Sequence, residues 1–422
     1  MVTQHSRHAS VAGGVQMANM LDYLDWYGDF DFRAVPFNEV DNLILAQISY
    51  LDLAGVVPPM PSDGSSFVAS DVPSVRAAWS GFQECHSARE RVDLGPLISP
   101  LTATVFEKMA AGNRFATTRL CCYDSRLDTV SHEQFGALTA ILPNDMSYVS
   151  FRGTDDSLVG WREDCEMSYR VVPSQTSALS YLDEVAGLVR GELHVGGHSK
   201  GGNLAVYASA YCSAETRRRI AVVWCNDAPG FVDEVVPLSS LDPILDRVRL
   251  FTPEYSLVGS LFTHALAPTV IKSGGDTGTQ GVMQHSALEW QVMRGEFVRG
   301  KGISEDSRKM GEVFSQLLAS HDAAGRKRLV TNLYDALDEA GIDSLTTLAS
   351  RGAVGLGAVL NSVGALDEED RKPMTDFLLG IVGQSVVSTV SPIAKTITAA
   401  FEDARRSAES IIEHRVGTGG EI

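Results

Sequence analysis

Apolar and polar positions change period along the chain, and the changes mark out elements. In residues 38–54 (NEVDNLILAQISYLDLA), Val40, Leu43, Ile44 and Ile48 fall at the i, i+3, i+4 spacing of a helix. Residues 55–75 have a turn-and-loop composition rich in Pro, Gly, Ser and Asp. Downstream, short apolar runs alternate with helical stretches. Residues 117–123 and 134–142 predict a pair of strands near a sheet edge, and 146–151 (MSYVSF) a short apolar strand ending at Arg152-Gly153-Thr154. A helix over 174–190 follows, opened by Ser174 and closed near Gly191. A strand at 192–197 runs directly into a helix at 200–214, and further strands are expected at 220–226, 246–252 and 269–273. Apolar runs each followed by a helix or a long connection are what a buried, largely parallel sheet requires.

From about residue 300 the pattern is different. Residues 304–350 are charged with helical period, 351–400 are rich in Gly, Ala, Val and Ser, and 401–415 are charged again. The expected division is a disordered leader at 1–19, an α/β domain at 20–298, and a helical C-terminal region at 299–422 that is either a separate domain or a cap. Residues 377–394 (FLLGIVGQSVVSTVSPIA) carry no charge, but Gln384, several serines and Pro392 make a poor spanning helix. Helix packing within the protein explains them most simply. Peripheral membrane contact or self-association through these helices is the alternative.

Composition narrows the class. A chain of 422 residues is long for one domain of roughly 150, and 44% hydrophobic with 8% aromatic residues is enough for a large core. The net charge of −18 disfavours nucleic acid, which is bound through basic faces. Cys85, Cys121, Cys122, Cys165, Cys212 and Cys225 show no CxxC pair or metal-ligand spacing and read as buried thiols. The first twenty residues lack the apolar core of a signal peptide. A reducing, cytoplasmic setting is the expectation, and no metal or organic cofactor is implied.

The strongest chemical signal is Gly197-His198-Ser199-Lys200-Gly201-Gly202. It matches G-x-S-x-G and sits between an apolar strand and a helix, the context in which that turn exposes a serine hydroxyl above the sheet of an α/β hydrolase. A serine hydroxyl needs a base to take its proton. In this fold the order along the chain is Ser, acid, His, which leaves His285 and His264 as bases, with His285 favoured because it follows the last predicted strand. His198 reads as a packing residue. Three carboxylates compete for the acid. Asp227 ends the run AVVWCN, Glu254 follows strand 246–252, and Asp276 lies in the GGDTG loop. Two donors are needed for an oxyanion. The Lys200 backbone N–H is one, and Thr154, through N–H and hydroxyl, is the candidate for the other. Each of these residues also has a plainer reading, as a helix cap, a loop carboxylate or a paired arginine turn at Arg152.

Phe151-Arg152-Gly153-Thr154, Trp161 through Asp164 and Gly197 through Gly202 resemble the class 3 lipases, α/β hydrolases with F-R-G-[ST], W-x-x-D and G-H-S-x-G-G segments. GHSKGGNLA, NDAPGF and QHSALEW, together with MLDYLDWYGDFDF and PFNEVDNLILAQISYLD, are closer to an uncharacterised bacterial family of lipase-like proteins. That likeness covers roughly residues 20–295. It implies a three-layer α/β-hydrolase fold and a Ser199–His285 pair. The lipases carry their acid in a D-x-V-P segment where this chain reads PEYSLVG, so Ser256 stands in the acid's place and Asp227 gains weight.

These features predict a serine hydrolase cleaving small-molecule or lipid esters, with Ser199, His285 and Asp227 catalytic and with Lys200 and Thr154 binding the oxyanion. Asp155–Trp161 is a candidate lid. Two other classes stay open: a hydrolase-fold protein with weak or no catalysis that binds a ligand or partner, and a membrane-surface or assembly module centred on the C-terminal region.

Overall fold

Seven strands lie side by side in chain order: β1 (Arg119–Asp128), β2 (Glu133–Ile141), β3 (Met146–Phe151), β4 (Glu192–His198), β5 (Ile220–Asn226), β6 (Val248–Pro253) and β7 (Thr269–Ile271). The β1–β2 and β2–β3 pairings are antiparallel and the next four are parallel. The computed structural model describes residues 17–61, 71–85, 94–95, 98–274, 281–351 and 371. Asp276 and the uncharged stretch 377–394 lie outside the described residues, as does most of the leader.

Alternation along the strands sorts side chains to two faces. Tyr148, Trp224 and Phe251 point to one core, covered by α1 (Met20–Tyr27), α2 (Glu39–Ile48), α3 (Val75–Cys85), α4 (Thr102–Ala111) and the short α5 (Asn113–Ala116). Val149, Phe151, Val195 and Val223 point to the other. After the short α6 (Leu158–Glu166), that second face is covered by α7 (Pro173–Leu188) and α8 (Lys200–Tyr211), and α9 (Ala214–Arg219) leads into β5. The result is a three-layer α/β architecture with a mostly parallel sheet. The first layer is pinned by a buried ion pair. Asp41 returns to the N–H of Asn38, the cap of α2, and accepts Nε and Nη2 of Arg114 at 2.7 and 2.5 Å.

Among the described residues, three α-helices follow the sheet: α10 (Glu305–Ala319), α11 (Ala323–Glu339) and α12 (Leu345–Arg351). They do not stand apart from it. Leu158 of α6 packs with Tyr334, Leu337 and Ile342 in a small apolar cluster. Main-chain bonds run from Leu158 N–H to the Asp343 carbonyl at 2.9 Å and from Leu345 N–H to the Asp156 carbonyl at 3.0 Å. Among the described residues, no helix is long and apolar enough to cross a membrane. All six cysteines are unpaired. Cys85 is exposed, so not every one is a buried thiol.

Candidate active site

Strand β4 lies between β3, which ends at Phe151, and β5, which ends at Asn226, so three strand ends converge on the turn at 197–201. Ser199 sits at that turn with φ 58° and ψ −135°, a backbone conformation that non-glycine residues rarely adopt. The turn is held open by its neighbours. A Cβ on Gly201 would overlap the Phe151 carbonyl oxygen, so only glycine lets the elbow close against β3. The Ser199 N–H donates to the Asn226 carbonyl at 2.9 Å, and the Asn226 amide donates to the Gly197 carbonyl at 3.0 Å. Asn226 is tied in turn to Asn42 of α2, which also accepts from Tyr148. Asn203, one turn into α8, donates to the carbonyls of Pro229 and Gly230. The elbow and the loop that follows β5 therefore form one hydrogen-bonded unit.

Asp227 heads that loop. It is fully buried, its N–H donates to the Phe251 carbonyl at 2.8 Å, and its Oδ2 lies 2.7 Å from Nδ1 of His285. Ser256 Oγ donates to its other oxygen at 2.5 Å. The structure thus brings His285 to Asp227 and not to the competing carboxylate. Glu254 turns the other way and accepts the N–H of Lys301 at 2.9 Å. His264, the alternative base, donates Nε2–H to the Gly259 carbonyl at 3.1 Å, and burial holds its pKa below the ordinary histidine range.

Two further side chains place His285. Gln284 accepts the Tyr255 N–H, and its carbonyl accepts from the indole of buried Trp290. His198 does more than pack. Its Nε2–H donates to the His285 carbonyl at 2.7 Å, which leaves Nδ1 to accept from the Tyr50 hydroxyl at 3.2 Å. Burial, and then the proximity of His285, hold the pKa of His198 well below the ordinary range, so this tautomer stays neutral. The two imidazole rings are 4.5 Å apart, which sets His285 beside the elbow.

The strand end at Phe151 supplies the facing wall. A Cβ on Gly153 would overlap the Tyr50 hydroxyl and the His198 carbonyl, so the loop after β3 lies directly on the elbow. The Thr154 hydroxyl is committed elsewhere, donating to Oδ2 of Asp164 at 2.5 Å. The hydroxyl that the sequence offered as an oxyanion donor is thus engaged with Asp164, which leaves the backbone N–H of Thr154 as the candidate. Lys200 begins α8, where the first backbone N–H groups have no partner within the helix. Its side chain is wholly buried and donates to the carbonyl and side chain of Gln134, at 2.8 and 2.6 Å, and to Glu163 at 3.0 Å. That ion pair locks the start of α8 to β2 and α6. Burial beside Glu163 and Asp155 pushes the Asp164 carboxyl up to about 6, although Lys200 and Thr154 pull it down. The segment 155–161, a candidate lid in the sequence, caps and begins α6 through Ser157, and α11–α12 are packed over it. Among the described residues, no group of His, Cys, Asp or Glu is arranged to hold a metal ion.

A mostly parallel sheet with the elbow at its centre, and histidine and carboxylate gathered at its carboxyl edge, defines a protein of lipase-like α/β type. The model of the Mbeg1-like family matches residues 109–335, more than half of the chain, and the chain belongs to that family. The matched stretch runs from α4 through the sheet and α10 into α11. No curated protein and no solved structure matches the chain.

Proposed function

We propose that the protein is a serine hydrolase that cleaves carboxylic esters, of small molecules or lipids, through an acyl-enzyme. The observation that carries this reading is the 2.7 Å contact between His285 Nδ1 and the fully buried Asp227, beside a serine in elbow conformation. With Nδ1–H given to the carboxylate, the lone pair on Nε2 is the base. Ser199 Oγ attacks the ester carbonyl as its proton passes to Nε2. Collapse of the tetrahedral intermediate returns that proton to the leaving alcohol. Water then repeats the sequence on the acyl-serine. Asp227 holds the productive tautomer and stabilises the imidazolium formed in each half. The oxyanion is met by the N–H groups of Lys200 and Thr154, fixed in advance by the Lys200–Glu163 pair and the Thr154–Asp164 bond.

The Ser199 hydroxyl does not cap α8 and has no hydrogen-bond partner among the described residues. It is free to meet His285 Nε2, and proton transfer in the first step needs an Oγ–Nε2 separation of about 2.6–3.2 Å. Six unpaired thiols support an intracellular setting. A fluorophosphonate probe tests the reading: it reacts only with an activated serine, and it should label wild type and not Ser199→Ala. An unlabelled wild type would favour a binding module on a hydrolase scaffold.

A further inference from the structure

The acid of this site is held from outside the sheet. Ser256 Oγ accepts the Gly259 N–H at 2.6 Å and gives its single proton to Asp227 Oδ1 at 2.5 Å. A carboxylate bonded to Ser256 through one oxygen and to His285 through the other cannot rotate without breaking a bond. Its aim at the imidazole therefore depends on where Ser256 sits. Ser260 Oγ, on the same loop, donates to the Ser256 carbonyl at 2.6 Å, and the first turn of α10 holds Ser256 from the other side. Ser307 is fully buried. Its Oγ donates to the Ser256 carbonyl at 2.6 Å and accepts the Ser256 N–H at 3.3 Å. Ser304, the cap of α10, donates its N–H to the Glu254 carbonyl at 2.6 Å, two residues earlier. Ser260 Oγ, on the same loop, lies 2.9 Å from Ser307 Oγ. Both main-chain polar groups of Ser256 are thus bonded to one side chain that comes from beyond the sheet.

We propose that Ser307 is a positioning residue for the reaction, acting through Ser256 on the Asp227 carboxylate, and that α10 is accordingly a part of the active site. The family match fits this boundary, since it does not stop after the sheet but continues through the whole of α10. The inference rests on the reading of Ser199, His285 and Asp227 as catalytic.

The test compares the full-length wild type with Ser256→Ala, Ser307→Ala and the double variant. Four quantities are measured: kcat and KM on a p-nitrophenyl ester, thermal midpoint, and the downfield proton resonance of His285 Nδ1–H, identified by its loss in His285→Ala. Hydrogen bonds to charged groups are the strong class, so Ser256→Ala should lower kcat by about 10- to 100-fold. Ser307→Ala, acting at one remove, should lower it by about 3- to 10-fold. KM should stay within about twofold in both. In the Ser256→Ala background, Ser307→Ala should cost less than about twofold, because residues that act in series are not additive. The resonance should move in both single variants.

A Ser307→Ala protein with wild-type kcat and an unmoved resonance would overturn the proposal. So would the same loss in both backgrounds, which marks an independent structural effect. If Ser307→Ala does not fold, Ser307→Cys keeps a weaker donor at the site and should fall between wild type and Ser256→Ala in both readouts; an unmoved resonance with wild-type kcat there again contradicts the idea. A wild type that neither turns over esters nor labels would refute the hydrolase reading alone, and the resonance would still report on the Ser307–Ser256–Asp227 link.

Discussion

Oδ1 of Asp227 accepts the hydroxyl of Ser256 at 2.5 Å, while Oδ2 of the same carboxylate meets His285 at 2.7 Å. This accounts for a departure from the lipase pattern. The strand that ends in PEYSLVG has a serine where those enzymes have their acid, and the acid proposed here, Asp227, stands at the end of the neighbouring strand. Under that proposal the serine position is not idle, since the Ser256 hydroxyl donates to the Asp227 carboxylate. Neighbouring strands in a parallel sheet lie about 4.8 Å apart, close enough for either strand end to serve one imidazole.

Asp227→Asn should therefore lower kcat by on the order of 10³-fold or more, because an amide in that place favours the wrong imidazole tautomer. The change is nearly isosteric, so the thermal midpoint should shift little by comparison. Glu254→Gln should keep most of the activity, as Glu254 is engaged with the Lys301 N–H. Steady-state kinetics on both variants decide this, and a Glu254→Gln protein as impaired as Asp227→Asn would reverse the assignment.

The two histidines downstream of the elbow should separate just as clearly. His285→Ala is expected to lose activity by about 10³-fold or more, as members of a catalytic unit do. His264→Ala removes only a bond to the Gly259 carbonyl and should cost less than about tenfold. The ratio of the two kcat values is the relevant measurement, and a His264 variant weaker than the His285 variant would contradict the account.

Much of this arrangement is legible in the sequence, for physical reasons that differ by element. Strands β3 and β5 are apolar runs with abrupt ends, and their limits can be read directly. Strand β1 runs on to Asp128 through the polar DSRLD, an exposed extension at the sheet edge that carries no apolar run of its own to mark it. Helix α2 stops at Ile48, whereas its apolar period continues to residue 54, because the chain turns at 49–51 to bring Tyr50 to His198. The elbow and its candidate partners follow from local pattern. Ser256, Ser307, Asn226 and His198 do not, since their roles arise from contacts between segments far apart in the chain, and a serine or asparagine carries no local sign of the bond it will make.

Asp164 gives the site a pH signature in stability. Burial holds its folded carboxyl at about 6, above the ordinary 3.8 of an exposed aspartate, so between these two values the native state binds more protons than the unfolded chain. Stability must then fall as pH rises through that window, with the full cost present above about 6. Asp164→Asn removes the titration and can still accept from Thr154. Its stability relative to wild type should rise between pH 4.5 and 7 by at most about 2 kcal/mol, and by less in practice because the Asp164 side chain is 21% exposed. Urea denaturation at the two pH values measures the difference, and a constant offset would show that Asp164 does not titrate in this range.

The central claim is that Ser199 is an activated nucleophile, and one paired measurement addresses it most directly. Wild type and Ser199→Ala are given a series of p-nitrophenyl esters of increasing acyl length, and both are treated with a fluorophosphonate probe. The account predicts that wild type hydrolyses esters and is labelled once per chain, whereas Ser199→Ala, folded to the same extent by circular dichroism, does neither. Near-wild-type turnover or labelling in the purified Ser199→Ala protein would contradict it.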